Sequence, residues 1–280
     1  MNRALREIAA SRLVAGEATV VIEVVATRGS VPREAGTRML VTRDGQDGTI
    51  GGGHLEWRAI ATARAMLGDD ALRPDDETFA LGASLGQCCG GAVTLRYRIL
   101  DAASLAAWRD RAPLPTIQVY GAGHVGRAIV HLLGTLDVAV QWIDERESEF
   151  PAGASAPNVE RVCVESVEAE VDDAPSEAFH LVLTHRHDLD LRIVEAILRR
   201  GDFAFLGLIG STTKRRRFIQ LLRERGFDDA TLDRITCPIG IEGIANKEPA
   251  QIAIAAAAQL LPLIDAWCRA APVTADTKSA

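Results

Sequence analysis

The chain has 280 residues, 48% of them hydrophobic and 25% charged, with 31 Lys and Arg against 38 Asp and Glu for a net charge of −7. That length allows two domains of the usual ~100–200 residues, and the acidic balance excludes a general nucleic-acid binder, which needs clustered Lys and Arg to neutralise phosphate. Five cysteines, an odd number, argue against a disulfide framework and for reduced thiols in a cytoplasmic protein.

The N-terminus "MNRALREIAASRLVAGEA" carries charge throughout and lacks the uninterrupted apolar core of a signal peptide. Strands are then predicted over Ala18–Thr27, Thr37–Thr42, Asp76–Leu81 and Ala92–Leu100, with one helix over about 54–67. Strands parted by turns, with a single long helix, define an N-terminal α+β domain, residues 1–110. Its corners are rich in glycine. "TRGSVPREAG" brings Arg28, Ser30 and Arg33 around a Gly-Ser turn, a set suited to phosphate or carboxylate, although by itself the stretch reads first as a Pro-punctuated turn with solvated arginines. "GTIGGGHLEWR" places Gly53, His54 and Glu56 at the start of the helix; the glycines form either an anion-binding nest or a tight connection. "LGASLGQCCGGAVTL" sets Cys88 and Cys89 side by side between Gln87 and Gly90. Adjacent cysteines bridge each other only under strain, and the spacing matches no zinc pattern of C-x₂₋₄-C pairs. Cys163, Cys237 and Cys268 are expected to be buried as small hydrophobes. The paired cysteines, fenced by glycine, are instead exposed to close approach, and soft thiolates suit a metal or a sulfur-bearing cofactor.

"RAPLPT" (Arg111–Thr116) reads as a linker, after which the pattern changes. Thr116–Gly123 is a buried strand entering a glycine turn, and Val125, Ile129, Leu132 and Leu133 share a helical face. Strands follow at Val138–Asp144, His180–His185 and Phe203–Gly210. One helix carries Leu189, Ile193 and Ile197 and stops at Gly201; another is "TTKRRRFIQLLRERG", whose basic run Lys214–Arg217 reads as a solvated face. A last helix begins at Glu248-Pro249. Its apolar run, Ile252–Ile264, is shorter than the ~18 residues expected of a membrane span. Alternating strands and helices imply βαβ units and a parallel sheet over residues 116–270, with a polar, frayed tail at 271–280.

"VYGAGHVGRA" sets Gly121, Gly123 and Gly126 in G-x-G-x-x-G spacing between a strand and a helix, with Asp144 ending the next strand. The first glycine serves the tight turn, the second the approach of a phosphate, and the third the packing of helix on strand. An acid at Asp144 would meet a ribose hydroxyl. His124 is bulkier than such loops usually carry. The fold class is therefore α/β, an α+β domain followed by a Rossmann-like parallel-sheet domain; the ligand of the loop stays open, since fold does not imply function. At the carboxyl edge of the sheet, His185, His187, Asp188 and Asp190 form either a metal cluster or helix caps, the acids being favoured as caps. Ser211 and Lys214 open the next helix as anion donors.

Taken in order, "TRGSVPREAGTRMLV", "GTIGGGHLE", "LGQCCGG", "VYGAGHVG", "THRHDLD", "GLIGSTTKRRRF" and "CPIG…KEPAQIA…AAQLL" resemble the xanthine dehydrogenase accessory proteins of the XdhC type. The resemblance implies a cytoplasmic maturation factor rather than an enzyme. Such a protein binds the molybdenum cofactor in its molybdopterin form, keeps it while a cysteine desulfurase replaces one oxo ligand by sulfur, and inserts it into apo xanthine dehydrogenase. It assigns molybdenum, or the transferred sulfur, to Cys88 and Cys89. The phosphate of the pterin would fall to Arg28, Arg33 or the helix N-termini. Arg186 departs from the family's pattern, which commonly has Asp between the two histidines. An NAD(P)-dependent oxidoreductase using the Gly121–Gly126 loop is the alternative, and a cofactor-free scaffold docking desulfurase to apoenzyme is a third reading. A homodimer is expected on general grounds, with no nucleic-acid or membrane partner.

Overall fold

The computed structural model describes residues 2–68, 76–82, 90–106, 108, 114–244 and 246–270. The chain divides into two compact units, Met1–Asp110 and Arg111–Ala280.

The first unit opens with helix α1 (Asn2–Ala15), followed by β1 (Val20–Arg28), β2 (Arg38–Val41), β3 (Gln46–Gly48), α2 (Gly53–Gly68), β4 (Glu77–Ala80), β5 (Ala92–Ile99) and α3 (Ala102–Ala106). The strands form one antiparallel sheet in the order β3-β2-β1-β5-β4. Alternation along the strands divides the side chains between two layers, as a period of two requires. Val20, Ile22 and Val24 of β1, with Met39 and Val41 of β2, pack on Leu55, Ala59, Ala63 and Met66 of α2. Val21 and Leu40 point the other way, onto Leu5 and Ala9 of α1 and onto Trp108.

The second unit contains β6 (Thr116–Tyr120), α4 (His124–Leu133), β7 (Ala139–Asp144), β8 (Val159–Cys163), β9 (Phe179–Val182), α5 (His187–Arg200), β10 (Phe205–Leu208), α6 (Thr212–Glu224), α7 (Asp229–Leu232), β11 (Ile235–Thr236) and α8 (Pro249–Ala270). All six strands are parallel, ordered β11-β10-β9-β6-β7-β8. One face is covered by α4 and α8 through Ile129, Val130, Leu133, Ala253, Ala256, Leu260 and Ile264. The other is covered by α5, α6 and α7 through Ile193, Val194, Ile197, Phe218, Leu222 and Leu232. This is a doubly wound Rossmann sheet, whose strand order reverses between β6 and β9, the crevice where such sheets bind ligands.

Gly201 ends α5 in the left-handed conformation expected of a helix stop, φ 77°, its N–H donating to Ile197 O. With 22 residues, α8 is long and apolar enough by composition to cross a membrane, more than its sequence run suggested. Its buried face belongs to the core shared with α4. Of the three cysteines expected in the core, only Cys237 is buried; Cys163 and Cys268 are exposed, because β8 lies at the sheet edge and Cys268 faces outward near the end of α8.

Candidate functional site

In the first unit the three glycine-rich motifs meet at one corner. A Cβ on Gly91 would sit 2.4 Å from Ser30 O and 2.5 Å from Arg28 O, closer than any side chain tolerates. Gly91 N donates to Ser30 O at 3.1 Å, and Leu81 N donates to Gly91 O at 2.9 Å. The two ends of the cysteine loop are thus stitched together beside Arg28 and Ser30. Gly51, with φ 123°, packs on Pro32, where a Cβ would come within 2.5 Å of the ring. Gln87, Cys88 and Cys89 lie outside the described residues; Gly90 is described and exposed.

The nest expected at Gly51–Gly53 exists, and the chain fills it. Glu56 accepts from Ile50 N and Gly52 N, each at 3.0 Å, and from Thr49 Oγ1 at 2.5 Å. Glu56 is therefore the internal anion of this turn rather than a group turned toward a ligand. Arg28, Ser30, Arg33 and His54 are exposed. No hydrogen bond or ion pair ties the Arg28 or Arg33 guanidinium to another described residue, which leaves both charges available at the corner.

In the second unit the glycine turn follows β6. A Cβ on Gly121 would meet Leu183 O at 2.4 Å, and one on Gly126 would meet Gly121 O at 2.0 Å, whereas one on Gly123 would meet nothing within 4 Å. The first and third glycines are demanded by the fold. The second is not, and it is the position at which a phosphate approaches in this motif. Gly123 is also the N-cap of α4 and supplies no side-chain cap, so the first N–H groups of that helix face an open position, with exposed His124 beside them.

Asp144 is not free to read a ribose. It is 4% exposed. Its Oδ2 accepts from Ala122 N at 2.6 Å and Arg146 Nη2 at 3.0 Å, and its Oδ1 from Arg146 N at 2.9 Å and Arg146 Nε at 3.0 Å. Burial opposes its ionisation, but the Arg146 and Ala122 hydrogen bonds outweigh that and hold the carboxyl below its ordinary value. A ribose hydroxyl would have to displace one of four donors. The NAD(P) reading loses its acceptor here.

Across the crevice, His185 Nε2 and Arg186 Nη1 both lie 3.6 Å from Glu145 Oε1, and Arg186 Nη2 lies 3.2 Å from Asp188. Glu145 follows β7 and His185 follows β9, with β6 between them in the sheet, so this contact passes over the carboxyl end of β6. Among the described residues no group of three or more His, Cys, Asp or Glu side chains is placed to hold a metal; instead Arg186 bridges Glu145 and Asp188, with His185 beside Glu145. Neither acid caps α5, whose N-cap Arg186 makes no side-chain cap bond. Asp190 accepts from Thr184 N at 3.0 Å and Thr184 Oγ1 at 2.7 Å, while Asp188 is exposed and pairs with Arg186 and Arg192.

Lys214 is neither solvated nor free. Its Nζ donates to Asp190 Oδ2 at 2.5 Å and to Ile209 O at 2.9 Å, and Asp190 is fully buried. Ser211 is exposed and caps α6 by accepting from Lys214 N at 3.3 Å. Sequence reading passed over Glu145 and Arg146; the available signal was their position immediately after Asp144 at the strand's carboxyl end.

The chain thus consists of an antiparallel unit with a cationic glycine corner followed by a doubly wound unit with an open glycine turn at its switch point. The family model described as the XdhC Rossmann domain matches residues 117–260, and the model described as the XdhC and CoxI family matches residues 13–79. The chain belongs to the XdhC family. The uncharacterized protein YqeB of Escherichia coli (strain K12) is 33% identical over 245 residues, 85% of this chain and 42% of that protein. The chain thus spans less than half the length of this relative. A solved structure described as a xanthine dehydrogenase from Bacillus halodurans superposes with a TM-score of 0.75 at 18% identity, over 93% of this chain and 96% of that one. At that identity the likeness is one of fold.

Proposed function

We propose that the chain holds the molybdenum cofactor as cargo while a cysteine desulfurase exchanges an oxo ligand for sulfur, and then delivers it to apo xanthine dehydrogenase. One observation carries the reading: the ends of the cysteine loop are pinned by Gly91 against the Arg28–Ser30 turn, beside two guanidinium groups that no described residue pairs. The cargo is a pyranopterin phosphate whose dithiolene holds molybdenum. The residues present fit it. Arg28 and Arg33 supply fork-shaped donors for a phosphate, and Gly90 offers backbone with open space around it, since a Cβ there would meet nothing within 4 Å. Cys88 and Cys89 supply soft sulfur ligands at the molybdenum end. A carrier needs reversible contacts of this kind rather than a nucleophile with an activating base.

The test is cofactor content. Protein purified from cells that make the cofactor is assayed for molybdenum and for oxidised pterin fluorescence, alongside the Cys88→Ala/Cys89→Ala double variant. Pterin near one per chain is expected in the unmodified protein, with molybdenum or its sulfur lost from the variant. Pterin absent from both, together with saturable nicotinamide binding, would return the glycine fingerprint to its literal meaning.

A further inference from the structure

Helix α2, which starts at this corner of the first unit, carries an aromatic ring that the fold does not use. Trp57 is 68% exposed, although tryptophan is among the largest apolar surfaces a chain can bury. It stands one turn into α2. His54, three residues earlier and so on the same helix face, meets it edge-on with ring centroids 5.7 Å apart and planes at 64°. The glycines that lead into this pair leave room beside it. A Cβ on Gly52 would meet nothing within 4 Å, and the Cβ position of Gly51, against Pro32, lies 3.7 Å from Cγ of Arg33. The Arg33 guanidinium therefore grows from the wall of the corner that α2 enters, with no hydrogen-bond or ion-pair partner among the described residues.

We infer that Trp57 is the stacking surface for a planar heterocycle of an anionic ligand whose phosphate is met by Arg33. The inference rests on the cofactor-holding reading and adds the ring contact to it. An indole face accepts a flat conjugated ring at little entropic cost, and such stacking is tolerant of the ring's identity. The guanidinium then fixes which end of the ligand lies where. A protein partner is the other use of an exposed Trp, but anchors at protein interfaces sit within a wider desolvated apolar patch. Between residues 27 and 106, Trp57 is the one exposed large hydrophobic side chain among the described residues, which favours a small flat ligand.

The experiment is equilibrium dialysis of the full chain, freed of bound pterin, against an oxidised pterin bearing a side-chain phosphate. Unphosphorylated pterin and inorganic phosphate are the controls, and pterin fluorescence is the readout. Trp57→Ala is expected to weaken binding by roughly five- to a hundredfold, the range of one lost stacking contact, and Trp57→Phe by much less. Arg33→Ala should weaken the phosphorylated pterin and leave the unphosphorylated one unchanged. An exposed ring supports little of the fold, so the melting temperature of Trp57→Ala should match that of the unmodified chain. If the unmodified chain binds pterin and Trp57→Ala binds it equally well, the stacking role is overturned while the cofactor reading stands. If the unmodified chain neither takes up the probe nor carries pterin from cofactor-making cells, the cofactor reading falls and the inference with it.

Discussion

At the scale of single residues, the second unit keeps a polar row inside its sheet. Gln118 donates to Gln141 Oε1 at 3.0 Å and to Glu170 O at 2.8 Å, and Tyr120 donates to Gln118 Oε1 at 2.5 Å. His180 on the adjacent strand is 2% exposed and stacks beside Tyr120 with ring centroids 6.1 Å apart. Burial, helped by the Arg200 guanidinium and opposed by Asp202, pushes the His180 imidazole down from 6.5 to about 4. The folded chain therefore keeps this ring neutral where the unfolded chain protonates it. Stability from this residue is whole above pH 6.5, falls as pH drops through the window from 6.5 to 4, and is constant below. The loss over that window is on the order of 3 kcal/mol. His180→Gln removes the titration, so urea midpoints measured between pH 7 and 4 should fall less steeply for the variant than for the unmodified protein. Equal slopes would mean that His180 titrates normally in the fold. Lys214 and Asp190 form a further buried polar contact, at the carboxyl end of the sheet, where breaking one partner would strand a charge.

At the scale of elements, the glycine turn after β6 separates what the fold needs from what a ligand needs. Gly126→Ala drives a methyl group to 2.0 Å from Gly121 O, a backbone atom that cannot yield without moving β6 away from α4. A loss above about 3 kcal/mol is expected, as for other severe overpacking. Gly123→Ala enters open space at φ −68°, and as an N-cap change it should cost at most about 1 kcal/mol. Chemical denaturation of the two variants checks the contrast; a comparable loss at both positions would mean that the turn is packed more tightly than its geometry indicates. Sequence could announce this turn because its spacing is local, and the strand and helix stop at Phe203–Gly210 and Gly201 were legible for the same reason. Helix α1 was not: Leu5, Ala9 and Leu13 recur every four residues, but the stripe is narrow and mixed with charge, and only the sheet surface at Val21 and Leu40 gives it a partner. Strands β8 and β11, of five and two residues, are edge pieces defined by their neighbours. At the site, the glycine turns were readable, but not that Glu56, Asp144 and Asp190 accept from backbone N–H groups in or beside those loops. A carboxylate's partner depends on which loops the fold brings beside it.

At the scale of the whole molecule, the hydrophobic interior is partitioned as the chain is. Two clusters, one built around Ile22, Met39 and Leu55 and the other around Leu5 and Leu40, draw only on residues before Asp110. The clusters on the two faces of the parallel sheet draw only on residues after it. Each unit lies within the ordinary range for an independently folding domain. On the proposed carrier function, such a division would let a unit whose stability is its own change its loops without loosening the other. Calorimetry of the full chain should then resolve two transitions. Met39 and Leu206 are both fully buried, one in each unit. Truncating either to alanine removes about 2–5 kcal/mol. Met39→Ala should lower one transition by on the order of 10 °C and leave the second in place, and Leu206→Ala should move the second and spare the first. A single transition shifted by both variants would instead join the two cores into one cooperative unit, and the corner at Trp57 could then not reorganise without the Rossmann unit responding.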